Sequence, residues 1–277
     1  MQYPFAVLAP DYTTALERMQ ITRITAVEAT AERLVTFIDA GKYDAGCQAT
    51  GVPVAWAAAS FEREASSNFA LNPAQGWPLD SKSKDVPYNG PFADWTTAQI
   101  AAYEIDGLDK VGAANWTWAR ACYEDEAFNG FGYRAHGIFS PYLGAGTNLY
   151  IEGKYVADGQ WSPTAIDVQL GTIPIMLQII RLRPKLALAD AFPNAVGVGT
   201  IIPAPVPAPV PQGLHDAAAL QRALNSLGAD PQLVVDDNYG RGTRRAVVAF
   251  QQHAGLTPVD GIAGTDTWAA IDQRLAA

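Results

Sequence analysis

Apolar residues recur every three to five positions through Leu16, Met19, Ile24, Val27, Ala31, Leu34 and Ile38, the spacing that lines one face of a helix. Thr14 and Glu17 fit a capping box and Gly41 fits a stop, so the pattern predicts one long amphipathic helix between them. A second run, "VPVAWAAASF" from Val52 to Phe61, is apolar on every face. It predicts a helix that starts near Pro53, ends near Ser66 and is buried all round. Between Leu71 and Pro91 the breakers Asn72, Pro73, Gly76, Pro78, Pro87, Asn89 and Gly90 predict loops or a small hairpin. Helical spacing returns over Thr96–Leu108, Asn115–Glu126 and Ser162–Arg181, with a Gly- and Tyr-rich loop between the last two. The fold class that follows is mainly α.

No charged residue occurs from Ala191 to His215, and the centre of that stretch reads "PAPVPAPVP", Pro203 to Pro211. Alternating proline favours a polyproline II rod, which over these residues could hold two bodies roughly 28 Å apart. The chain of 277 residues is long enough for two cores. The expected division is a first domain over 1–190, a Pro/Ala/Val-rich linker over 191–213 and a second domain over 214–277.

Beyond the linker, "DDNYGRGTRRAV" (Asp236 to Val247) and "DGIAGTDTWAAI" (Asp260 to Ile271) share the pattern D-x-x-x-G-x-x-T-x-x-A-(V/I). Each copy reads as a glycine turn, a threonine that begins a helix, then an apolar helical face. With "LQRALNSLG" before the first copy and "VVAFQQHAGL" between them, this region resembles the three-helix peptidoglycan-binding domain. The resemblance implies a small three-helix fold whose partner is the bacterial wall, with a binding groove near the two turns at Asp236, Tyr239, Arg241, Asp260 and Ile262. Asp237 stands where that family usually has Gly. Asp tolerates a left-handed backbone better than most residues.

Composition narrows the possible functions. Apolar residues make up 49% and charged residues 17%, as in a folded domain. The net charge of −9 and the lack of a Lys/Arg cluster argue against nucleic acid; "RLRPK", Arg181 to Lys185, is too short to change that. Glu17, Arg18, Arg23 and Glu28 interrupt any secretory core, and no later apolar run predicts membrane insertion. The expectation is a cytoplasmic monomer that reaches the wall only after another agent permeabilises the membrane. Cys47 and Cys122 are too few for a disulfide framework and read as buried free thiols.

The stretch "SFEREASSNF", Ser60 to Phe69, ends the apolar helix on Glu62, Arg63 and Glu64. Together with "GPFADWTTAQIAAYEIDGL", "YEDEAFNGFGYRAHGIFSPYLGAGTNLYIEGKYVADG" and "DVQLG", it resembles the lysozyme-like catalytic domains of phage and prophage endolysins. The resemblance implies a lysozyme-like α (α+β) domain, a muramidase activity on the bond between N-acetylmuramic acid and N-acetylglucosamine, and Glu64 as the general acid. Chemistry gives an independent reason to want a buried carboxyl there, because the leaving oxygen needs a proton. Arg63 and Glu62, about 100° and 200° around the helix from Glu64, are expected to be solvated or structural, with Arg63 turned away from Glu64.

The same resemblance assigns Asn129, Tyr133, Tyr142, Asn148, Tyr150 and Trp77 to sugar binding, with Phe128 and Phe131 read as core. Relatives carry an Asp in the loop after the catalytic helix where this chain has Trp77 in "GWPL", leaving Asp80 as the possible second carboxylate and Glu126 as a further one. Without a second carboxylate the alternative is a lytic transglycosylase giving 1,6-anhydro products; a non-catalytic wall-binding or virion protein is the remaining reading. A zinc amidase lacks ligands, since the chain has His136, His215 and His253 but no H-E-x-x-H, and no metal or cofactor is expected. A thiol peptidase would need Cys122 or Cys47 beside His136, and Cys122 sits inside an apolar helical face.

Overall fold

The computed structural model describes residues 4–82, 90–157, 160–193, 217–235, 241–257, 259, 261 and 263–276. The proline-rich linker lies outside them. Among the described residues the chain is mainly helical, with one two-stranded antiparallel sheet. One apolar core gathers side chains from Leu8 to Ile179, with Phe192 packed against it; a second, smaller one runs from Ala217 to Ile271.

The predicted long first helix is two helices. α1 spans Phe5–Glu17 and α2 spans Ile24–Asp39. Thr14 lies inside α1, its hydroxyl donating to Pro10 O at 3.0 Å rather than capping a start. The break is set by partners from elsewhere: Thr22 N and Arg23 N both donate to Gly146 O (2.9 and 3.1 Å), and Asn148 N donates to Gln20 O at 3.0 Å. Backbone groups satisfied by a distant loop cannot also continue a helix. The stop at Gly41, with φ of 70°, follows the expectation.

α3 (Asp44–Thr50) was not foreseen; it packs on α5 (Trp95–Ile105) so closely that a Cβ on Gly46 would meet Gln99 Oε1 at 2.1 Å. α4 (Val54–Ala65) starts after Pro53 as predicted. Its Ala55, Ala57, Ala58 and Ala59 are fully buried, and their small side chains let α2, α3 and α9 (Thr172–Leu182) approach its axis. Trp56 packs edge-on against Tyr103 and Phe128 and tilted against Trp116. Burying such a ring contributes about 2–3 kcal/mol. The predicted helix over Ser162–Arg181 begins only at Thr172: Lys154–Ala157 (β1) and Gln160–Ser162 (β2) form a hairpin, and 163–171 is irregular.

α6 (Trp118–Asn129) is the central helix, contacted by α1, α8 (Pro141–Gly144), α9 and α11 (Arg241–Ala254). A short α7 (Gly132–Ala135) follows it. Helical spacing predicts that this helix ends at Glu126. The helix instead continues to Asn129, and the carboxyls of Glu124, Asp125 and Glu126 are all buried. Successive residues point about 100° apart, so each enters a different interior surface. Glu124 takes Arg120 (3.2 Å) and Arg244 (3.3 Å); Glu126 accepts from Tyr12 (2.6 Å), Arg134 (2.6 Å) and Ser140 N (3.2 Å).

The second core is built by α10 (Ala217–Ser226), α11 and α12 (Thr265–Leu275) around Leu220, Leu224, Val247, Phe250, Trp268 and Ile271. The repeat threonines are not first in their helices. Thr243 and Thr267 each stand third, buried, and accept a hydrogen bond from a buried glutamine: Gln221 to Thr243 at 3.0 Å and Gln251 to Thr267 at 3.1 Å. A buried hydroxyl needs a partner, so the Gln of each "LQ" or "FQ" signature is paired with the Thr of each turn. Cys47 and Cys122 are buried free thiols.

Candidate functional site

Glu64 sits one residue before the end of α4, half-buried. The helix is closed by Ser66 and Ser67, both left-handed with φ of 50° and 54°. Two consecutive non-glycine residues in this region cost roughly 1–2 kcal/mol each. The turn is held by Ser66 N donating to Glu62 O at 2.9 Å and Ser67 Oγ donating to Glu62 Oε2 at 2.8 Å, while Arg33 pairs with the other Glu62 oxygen at 2.6 Å. Glu62 is therefore a structural brace for the turn that presents Glu64.

The loop after α4 folds back over this end. Asn72 Oδ1 accepts from Ala74 N (3.1 Å) and Gln75 N (3.0 Å), and Asn72 N donates to Trp77 O at 2.8 Å. Gly76, with φ of 65°, comes so near that a Cβ there would stand 3.3 Å from Glu64 O. Trp77 is half-buried on this loop, and Asp80 is exposed, accepting from Ser81 Oγ at 3.1 Å.

From the other side, Tyr142 in α8 donates its phenolic hydrogen to Glu64 Oε1. Ser140 caps α8 and also accepts from Asn129 Nδ2 at 2.8 Å, so the end of α6 and the start of α8 are tied together behind Tyr142. Arg63 does not turn away from this neighbourhood. It is buried, with its guanidinium 4.3 Å from the centroid of the Tyr142 ring, Nη2 paired with Asp167 at 2.6 Å and Nη1 donating to Leu170 O at 3.2 Å. Gln169 closes the clasp by donating to Arg63 O at 3.2 Å. The "DVQLG" segment thus encloses Arg63, and Arg63 lies against the ring that holds Glu64.

The structure brings Glu64 and Tyr142 into direct contact. Tyr133 and Tyr150 are buried beneath the hairpin: Tyr133 packs edge-on against Tyr155 and Trp161, and burial pushes its phenol up to about 12. Tyr150 donates to Gly153 O (3.1 Å) and accepts from Asp167 N (2.9 Å), and burial raises its pKa as well. Asn148 spends its side chain on the chain break, accepting from Gln20 N (2.8 Å) and donating to Arg18 O (3.0 Å). Phe128 and Phe131 are core.

Sequence reasoning missed an aromatic plate on the hairpin, where exposed His136 stacks flat on Trp161 at 3.7 Å and Tyr155 OH lies 3.2 Å from His136 Nε2. Partial burial lowers the His136 pKa. It also missed Asp125, whose carboxyl burial pushes well above the ordinary range; Thr172, Arg63 and Trp56 offset this only in part, and Oδ2 has no hydrogen-bond partner. Among the described residues no cluster of three His, Cys, Asp or Glu side chains could hold a metal ion, and no helix is long and apolar enough to cross a membrane.

In the second core, Asp236, Tyr239, Asp260 and Ile262, as well as Asp237, lie outside the described residues; Arg241 opens α11. Residues 215–271 match a protein-family model described as "Putative peptidoglycan binding domain". The C-terminal region is a peptidoglycan-binding domain. Searches of curated proteins and of solved structures found no match to the chain. The wall-binding domain meets the first domain through Arg244, paired with Glu124, and Arg245, whose Nε lies 3.2 Å from Asp106 Oδ1.

Proposed function

We propose that the chain is a modular endolysin that cuts the glycan of bacterial peptidoglycan between N-acetylmuramic acid and N-acetylglucosamine, with Glu64 as general acid. The observation that carries this reading is the construction of Glu64: a carboxyl presented by a strained two-serine turn, gripped by Tyr142, on a chain that also bears a wall-binding domain. Backbone strain of this kind is stored where geometry matters for function. Glu64 donates a proton to the glycosidic oxygen as the C–O bond breaks, and its carboxylate then takes a proton from the group that attacks the anomeric carbon. The wall-binding domain supplies a high local concentration of glycan. Asp80 remains the proposed second carboxylate. In the endolysin reading the chain accumulates in an infected bacterium and reaches the wall after the membrane is permeabilised.

A transglycosylase reading rests on the exposed position of Asp80, which bonds its neighbour Ser81. In that case the attacking group is the substrate's own C6 hydroxyl, and the product carries a 1,6-anhydro end instead of a reducing end. Mass spectrometry of released muropeptides separates the two. Glu64→Gln is expected to slow clearing of a purified peptidoglycan suspension by about 100-fold or more while leaving sedimentation with the wall unchanged. Undiminished clearing by this variant overturns the assignment.

A further inference from the structure

A cleft of about 600 Å³ lies between the wall-binding domain and the end of α5. Its lining is aliphatic at Leu224, Leu227, Leu233 and Ala249 and carries both signs of charge, Arg245 and Arg274 with Glu104 and Asp230. Glu104 and Ile105 come from the first domain, so the cleft is completed only when the two domains are docked through Arg244 and Arg245.

The lining distinguishes between the two halves of peptidoglycan. Sugars are held by exposed aromatic faces and dense amide and hydroxyl groups. The one phenyl ring here, Phe250, is buried, and Arg274 sits 5.0 Å from its centroid while donating to His253 O at 3.1 Å. The rest of the lining is mostly alkyl surface with cations and anions beside it, and its amide and imidazole groups come from Gln252 and His253. The matching ligand is a short zwitterionic peptide with alkyl side chains, carboxylates for the arginines and an amine for Glu104 or Asp230. We infer that this cleft binds the peptide stem of peptidoglycan, so that the wall-binding domain reads the peptide while the glycan passes elsewhere. The inference rests on wall binding by the C-terminal domain and is independent of any chemistry at Glu64.

The test uses the full chain. Purified sacculi are sedimented with it on ice, in competition with either the synthetic tetrapeptide L-Ala-γ-D-Glu-meso-diaminopimelyl-D-Ala or the free N-acetylglucosaminyl-N-acetylmuramic acid disaccharide. The tetrapeptide is expected to compete and the disaccharide not to. Ala249 is exposed on α11 and lines the cleft, so Ala249→Trp fills it without disturbing the core. This variant is expected to weaken tetrapeptide binding about tenfold or more at an unchanged melting temperature, while Asp266→Asn, outside the cleft, binds as the parent does. If the disaccharide competes and the peptide does not, or if Ala249→Trp binds the peptide normally, the cleft assignment falls and wall binding stands. If the chain does not sediment with sacculi at all, wall binding fails and the cleft assignment with it.

Discussion

Arg63 offers the sharpest test of how the first domain is built. Its side chain and that of Asp167 are 1% and 4% exposed, with 2.6 Å between Nη2 and Oδ2. Replacing Arg63 by Met keeps the volume but leaves a buried carboxylate whose remaining partners are Lys154 Nζ at 3.4 Å and Gln169 N at 3.0 Å. Breaking a buried pair on one side costs about 3–5 kcal/mol, and the surviving Lys154 contact places this case near the lower end. For a domain of this size each kcal/mol shifts the melting temperature by about 2–4 °C, so a drop of about 6–12 °C is expected by calorimetry. The buried pair is little screened, so the drop persists in 1 M salt, to which a surface pair would be sensitive. The double variant Arg63→Met with Asp167→Leu removes both charges and is expected to recover most of the loss. A single-variant cost below about 1 kcal/mol, or a double variant no more stable than the single, refutes the reasoning.

Tyr142→Phe removes the donor to Glu64 Oε1, so clearing of peptidoglycan is expected to fall about 10- to 100-fold with wall binding unchanged; an unaltered rate would show that the phenol does not position the acid. Asp125 gives a pH prediction. Its folded carboxyl holds a proton well above the unfolded value of about 3.9, so its stabilising contribution is complete below that pH and is lost as pH rises toward the folded pKa. Asp125→Asn mimics the protonated form and is expected to gain stability over the parent by about 1.4 kcal/mol per pH unit above pH 4, until the parent's carboxyl ionises. Calorimetry at pH 4, 6 and 8 checks this, and a difference that does not vary with pH counts against it.

The apolar spacing of Val52 to Phe61 was enough to place α4 and to bury it, because a helix without a polar face has no way to meet solvent. The second domain was legible for a similar local reason: its Gly, Thr and Gln positions repeat, and each buried Thr is satisfied by a Gln from a repeated signature. The first helix was misread because the interruption at Arg18 to Arg23 is imposed by Gly146 and Asn148, more than a hundred residues away. Hydrophobic period carries no record of such partners. The burial of Glu124 and Glu126 was not legible either: charge suggests solvent unless cations and hydroxyls from other elements arrive to meet it.

Read alone, the sequence yields a mainly helical chain and a C-terminal domain for peptidoglycan, since each is written in residues near one another. It also singled out Glu64, by resemblance and by its place at a helix end. Long-range packing alone puts Arg63 against Tyr142, closes Tyr142 on Glu64 and buries Asp125 without a hydrogen-bond partner for Oδ2. It also decided that the wall-binding domain shares a cleft with α5. These features join side chains about 80 to 140 residues apart or depend on burial from several elements at once, and the free energy of such contacts is a property of the packed arrangement rather than of any local stretch.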